Sequence, residues 1–200
     1  MKDLYKTISS DSKGLYKDRG SRFISLAFPV VSETEIKEKL DFLRKEYHDA
    51  RHHCFAWRLG PDLERYRVND DGEPSGSAGR PIFAQIQSRE LTNILVVVIR
   101  YFGGTLLGVG GLINAYRSST SDALDQANII ERRVETLIKL NFEYEAMNSV
   151  MSIVKDFGLK FDSQNFDLVC SLTLRVWMRQ LQEVTESFKK VKGCSISIEE

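Results

Sequence analysis

The chain has 200 residues, of which 42% are hydrophobic and 28% charged. That is enough apolar material for one large or two small globular domains, and it excludes a disordered chain. Lys+Arg and Asp+Glu number 28 each, so the formal net charge is zero, against a strongly basic nucleic-acid domain that draws its affinity from neutralising phosphates.

The charge is slightly uneven: residues 1–133 hold 20 Lys+Arg against 18 Asp+Glu, and the rest 8 against 10. The three cysteines, Cys54, Cys170 and Cys194, are odd in number and form no CxxC, which fits reduced thiols better than a disulfide framework. No apolar run approaches the roughly 20 residues that span a bilayer. Met1 to Ser12 has no apolar h-region, so a cytoplasmic protein without a membrane segment is expected.

Residues 1–20 are polar and read as loop at first. Arg22 to Phe28 alternates as a strand closed by Pro29. Ser32-Glu33-Thr34-Glu35 is a capping box, and Ile36, Leu40, Leu43 and Tyr47 follow at helical spacing, so a helix is predicted over 33–48. His52 to Leu59 and Arg65 to Val68 read as strands, the second turned by Asn69-Asp70-Asp71-Gly72. A short helix follows over 79–88, with Pro81 in its first turn and Ser75 or Ser77 as its cap. The apolar run Ile94 to Ile99 predicts a strand buried on both faces. The glycine-rich stretch Gly103 to Gly111 leads into a helix over 112–127. A boundary is placed near Asn128–Arg133. Beyond it the expected order is strand 135–144, helix 147–157 capped by Gly158, strand 160–166, a turn at Asn165-Phe166-Asp167, strand 168–176, helix 180–191 and strand 194–198. That is the βαββαβ order of a ferredoxin-like domain.

Three stretches carry candidate chemistry. Gly103 to Gly111 joins a buried strand to a helix N-terminus, where open amides and the helix dipole favour anions, although glycines also serve tight turns and close packing. No Gly-Lys-Ser/Thr follows, so it is not a Walker motif. Asp70 to Arg80 concentrates Asp70, Asp71 and Glu73 with glycine and serine; the carboxylates either shape a turn or hold a hard cation, at a spacing that is not an EF-hand's. All three histidines lie at His48, His52 and His53. His52 and Cys54 share one strand face and His53 points to the other, so no zinc site is read. Ser75, Ser77 and Cys54 are conceivable nucleophiles with His52 or His53 as base, but the G-x-S-x-G context is missing. No catalytic residue, metal ligand or cofactor is assigned, and the enzyme question leans to no.

Arg19-Gly20-Ser21-Arg22-Phe23, Ala50-Arg51-His52-His53-Cys54, the Asp70–Pro81 run and Val96–Gly111 with Ala115-Tyr116 resemble the IMPACT family, whose bacterial members are the YigZ-like proteins. The resemblance covers essentially the whole chain. It implies an α+β protein. Residues 1–131 would form a domain of the ribosomal-protein/elongation-factor-G-domain-IV type, and residues 135–200 a ferredoxin-like domain resembling the last domain of elongation factor G. Eukaryotic relatives regulate translation by competing for the activator of an initiation-factor kinase, with help from an extra RWD domain for which this chain has no room. What carries over is a translation-linked or RNA-binding role, by analogy of fold. The family usually has Lys at the position of Leu106 and Arg at that of Asn114, so this chain lacks two charges beside the glycine-rich loop.

The resulting expectation is a non-catalytic binding protein whose partner is RNA, the ribosome or a translation factor. Its groove would be built from Arg22, His52, His53, Asp70, Asp71, Glu73, Ser75, Ser77, Arg80, Arg100, Tyr101, Gly103, Gly104, Gly108, Gly110 and Gly111. The arginines would grip phosphate or stack on bases. The alternatives are a nucleotide- or phosphate-binding protein, or an enzyme, using the same groove. A third is an interaction module working through the exposed sheet edge of the second domain.

Overall fold

In a computed structural model of the chain, residues 3–166 and 170–199 are described. They fall into two compact units that divide between Arg132 and Arg133. The architecture is α+β.

The first unit is a five-stranded antiparallel sheet in the order β2-β3-β6-β4-β5. Its strands are β2 (Ser12–Asp18), β3 (Ser21–Pro29), β4 (His52–Leu59), β5 (Arg65–Asn69) and β6 (Ile94–Tyr101). A separate two-stranded sheet pairs β1 (Leu4–Ile8) with β7 (Ile129–Arg133). Three helices complete it: α1 (Glu33–Glu46), α2 (Gly79–Ser88) and α3 (Gly108–Asp125).

Strand β6 lies at the centre and is buried along both faces. Ile94, Val96 and Val98 point into a core shared with Ile82 and Ile86 of α2 and Leu112 and Tyr116 of α3. Leu95, Val97 and Ile99 point the other way, against Ile36 and Leu43 of α1. The continuous apolar run therefore reflects helices on both faces of an antiparallel sheet. The α1 cap forms as its box suggests: Ser32 Oγ accepts from the Glu35 amide, and the Glu35 carboxylate accepts from Val31 N–H.

Two expectations are corrected. The opening polar residues are two strands, not loop. They read as loop because β2 packs through a glycine: a Cβ on Gly14 would lie 2.3 Å from Ala123 N, so α3 crosses the strand where an apolar side chain would otherwise signal burial. Arg19 and Gly20, both at positive φ, close β2 onto β3. Strand β7, paired with a strand more than a hundred residues away, runs through the segment read as a boundary at 128–133, up to the point where the two units divide. Helix α3 starts at Gly108, four residues early. Glycine is a poor helix former, but the first-turn amides lack helical partners in any case, so the glycines cost least there.

The second unit contains β8 (Glu135–Phe142), α4 (Met147–Asp156), β9 (Lys160–Phe166), β10 (Cys170–Trp177), α5 (Leu181–Lys189) and β11 (Cys194–Glu199). Its sheet runs β11-β8-β10-β9, antiparallel throughout. Ile138, Leu140, Leu172 and Leu174 pack under Val150 and Val154 of α4 and Val184 and Phe188 of α5. Asp167, from the expected turn, and Leu168 and Val169, from the expected start of the following strand, lie outside the described residues. No helix among the described residues is long and apolar enough to cross a membrane.

Gly103 ties the glycine-rich loop to the β2–β3 turn. A Cβ there would lie 1.9 Å from Gly20 C and 2.1 Å from Ser21 N, both backbone atoms that cannot swing aside. Gly103→Ala is expected to cost about 3 kcal/mol through overpacking, read as a lower urea midpoint. Unchanged stability would show that the approach is not required.

Candidate functional site

The site is organised by one buried carboxylate. Glu73 follows the Asn69–Gly72 turn and its side chain is only 3% exposed. Its Oε1 accepts from Arg100 Nη1 at 2.6 Å and from the Tyr116 hydroxyl at 2.7 Å. Arg100 sits at the end of β6, just before the glycine-rich loop, and Tyr116 sits on α3, just after it. The acidic loop is thus bolted to both ends of the glycine-rich loop. Burial pushes the Tyr116 phenol well above its usual range, with Cys54 and Glu73 adding to the effect, so it remains a hydrogen donor.

The Cys54 thiol extends the network, lying 3.0 Å from Asp70 O and 3.3 Å from the Tyr116 hydroxyl. Burial raises its pKa far above the ordinary thiol value, which removes the thiolate that a nucleophile needs.

Asp70 holds the acidic loop in shape. Its Oδ1 accepts from the amides of Ala78 and Gly79 at 3.0 and 2.8 Å, and its Oδ2 from Gly76 at 2.8 Å. Burial opposes its charge, but the Gly76, Gly79 and Ala78 amides outweigh burial and hold the carboxyl below the usual range. Asp70 therefore supplies the start of α2 with the oxygen expected from Ser75 or Ser77. Ser77 is buried and donates to Pro74 O at 2.6 Å, while Ser75 is exposed.

Asp71, at φ 43°, accepts from His53 N–H at 2.7 Å, and its carbonyl lies 2.8 Å from His52 Nδ1. The three carboxylates thus turn to three separate sets of partners. Among the described residues no group of three or more His, Cys, Asp or Glu is placed to hold a metal ion.

The structure splits the expected groove. His52, Asp70, Glu73, Ser77 and Arg100 share the sheet face under α2 and α3. Arg22, His53 and Tyr101 lie on the opposite face with α1. There Arg22 stacks over the Tyr101 ring at 4.9 Å, and the Tyr101 hydroxyl donates to Asp49 at 2.7 Å. Burial lowers the pKa of His53 against a smaller opposing pull from Asp71, and its Nε2 has no partner. Neither His53 nor the inert Cys54 thiol fits a nucleophile–base pair. Arg100 is 7% exposed along its side chain and committed to Glu73, so it is a structural cation and not the phosphate grip expected of it.

What faces outward is the glycine-rich loop. Gly104, Gly108 and Gly110 meet open space; the positive φ of Gly104 and Gly108, 87° and 70°, calls for glycine at those two, while neither packing nor φ does so at Gly110. Around them Phe102, Leu106 and Val109 are 46%, 80% and 54% exposed. The N-cap of α3, Leu107, offers no side-chain bond to the first amides. Arg80 is exposed nearby in sequence at the start of α2, and Gly111 packs against Leu107 Cβ.

Sequence reasoning missed Tyr116 as a site residue. The usable signal was a phenol on the apolar face of α3, since a buried hydroxyl demands a partner.

A two-unit α+β chain with an acidic turn locked to a glycine-rich strand–helix loop is the class defined so far. The family model described as the Impact N-terminal domain matches residues 19–124. An IMPACT family member from Haemophilus influenzae is 34% identical over 175 residues, covering 83% of this chain and 84% of that one. The IMPACT family member YigZ of Escherichia coli is 37% identical, covering 67% of each chain. YvyE of Bacillus subtilis is 35% identical over 68% of this chain, and the match spans 63% of its own length. A solved structure described as that of a hypothetical protein superposes with a TM-score of 0.77 at 27% identity, covering 99% of this chain and 97% of that one. The chain belongs to the IMPACT family and is YigZ-like.

Removing the Glu73 charge alone strands Arg100 in the interior. Glu73→Leu or Arg100→Met alone is expected to destabilise the first unit by about 3 kcal/mol, whereas the two combined recover most of that loss. Urea unfolding of the single and double variants gives the cycle. Additive losses would show that the two side chains do not act as a pair.

Proposed function

We propose that this protein is a translation-linked binding protein, acting in the cytoplasm on RNA, the ribosome or a translation factor, and not an enzyme. The contact surface is the outer rim of the glycine-rich loop, from Phe102 to Gly110, flanked by Ser75 and Arg80 of the acidic loop. The observation that carries this reading is the three glycines that face open space among exposed Phe102, Leu106 and Val109. A rim without side chains at 104, 108 and 110 lets another backbone approach closely, and exposed apolar residues gathered on one loop favour a partner surface. The titratable groups behind the rim are occupied in holding it, which argues for recognition over chemistry. Family membership supports the translation link.

The finer fold reading accompanies this proposal. The first unit is of the elongation-factor-G-domain-IV type and the second is ferredoxin-like. The βαββαβ order, with α4 and α5 on one sheet face, supports the latter.

A second reading, a nucleotide or phosphate at the start of α3, is favoured by the first-turn amides that no side chain caps. Melting with a nucleotide panel separates the two, because a ligand bound only by the native state raises Tm.

Leu106→Asp with Val109→Asp changes exposed positions and leaves Tm unchanged. The double variant is expected to lose at least ten-fold in ribosome or structured-RNA retention at low salt, read by co-sedimentation and filter binding. Full retention by the variant, or no binding by the parent chain, contradicts the proposal.

A further inference from the structure

The second unit carries a cleft that none of the roles above employs. It is lined by Arg133, Glu135, Lys160, Arg175, Trp177 and Gln180, among others, and encloses about 320 Å³, at the small end of ligand cavities. Backbone pairing fixes its walls. Trp177 stands opposite Glu135 in the β8–β10 register, and Met178 N–H donates to Val134 O at 2.9 Å, which holds residue 133 beside the indole.

The Arg133 guanidinium lies 4.6 Å from the Trp177 ring centroid, and that of Arg179 lies 5.7 Å from it. Arg175 is ion-paired with Asp162. Four cations therefore gather around one indole with two carboxylates, Glu135 and Asp162, leaving an excess of positive charge. Residues 133–200 as a whole hold 9 Lys+Arg against 10 Asp+Glu, so the excess is local to the cleft.

Two guanidiniums drawn to one ring repel each other, and an anion between them relieves the repulsion. An arginine lying on an aromatic face still presents its N–H edge, the fork that grips phosphate in a bidentate manner. Guanidinium already lies over the indole at stacking distance, so the cleft favours a phosphate over a stacked base. The sheet face leading away from it points the same way. By register, Trp177, Arg175, Thr173 and Ser171 share that face with Leu137, Lys139 and Asn141 of β8 and Ser195 and Ser197 of β11, so beyond the indole it is mostly polar.

We propose that this cleft is a phosphate-binding site that takes the phosphate of a nucleotide-sized ligand, free or within a single strand of RNA. Arg133 and Arg179 grip the phosphate, and Trp177 positions both.

Trp177 is one of two tryptophans, so in a Trp57→Phe chain it alone reports. That full-length chain is titrated at low salt with AMP, a ten-nucleotide oligouridylate and, as the uncharged control, adenosine. The expected result is a saturable change in Trp177 emission with AMP or the oligonucleotide and none with adenosine. It weakens with added salt and becomes at least ten-fold weaker in Arg133→Ala/Arg179→Ala at unchanged Tm. A response to AMP alone assigns a free nucleotide, and a response to the strand alone assigns RNA. The parent chain, with buried Trp57 as a constant background, repeats the titration should Trp57→Phe fold poorly. No saturable change with either phosphate probe, an equal response to adenosine, or a response retained by the double arginine variant overturns the proposal. The Leu106→Asp/Val109→Asp chain responds as its parent does, so this site and the glycine-rich rim fail or stand independently.

Discussion

A single buried ion pair sets the terms for the first unit. Glu73 enters the core from a turn and meets Arg100 at the end of β6, with the Tyr116 hydroxyl on the same oxygen. In a low-dielectric interior each charge is tolerable only because the other is there. The pairing therefore dictates geometry: the acidic turn must reach inward, the strand must end where it does, and α3 must start close by. The loop between strand and helix then has both ends fixed, while its middle is left outside.

That constraint divides the labour among residues that look alike in the sequence. Acidic residues at 70, 71 and 73 share one stretch, yet Asp70 caps α2 from a distance, Asp71 continues the edge of β4, and Glu73 is the core anchor. Glycines divide similarly. Gly103 is pressed against Gly20 and Ser21, whereas Gly104, Gly108 and Gly110 face outward. Groups drawn inward serve the frame, and the rim left exposed is mostly apolar and flexible in its chemistry.

Much of the fold was legible because burial leaves a period. The run Ile94–Ile99, the Ser32 capping box and the heptad-like spacing of α1 each identify an element, since each depends on local geometry. Strands β1, β2 and β7 were not legible. β1 and β7 pair across more than a hundred residues, and β2, although it pairs with the next strand, meets α3 through Gly14, which leaves no apolar alternation to see. The site was legible as a set of segments and not as a set of roles. Sequence cannot tell a buried carboxylate from a solvated one, so Arg100 reads as a ligand grip when it is the partner of Glu73. Strand alternation did place His53 opposite His52. The same rule, applied to Arg22 and Tyr101, separates them from the face of the glycine-rich loop. Tyr116 needed the pairing demand of a buried hydroxyl to be noticed.

The central claim is that the Glu73–Arg100–Tyr116 bonds make the two loops one preorganised surface. Backbone ¹⁵N order parameters for 70–79 and 103–111, in the parent chain and in Tyr116→Phe, test it most directly. The account predicts values near 0.85 in both segments of the parent, and a concerted fall in both, toward about 0.6, when the hydroxyl is removed. Loops that are already disordered in the parent, or a fall confined to one of them, would contradict it.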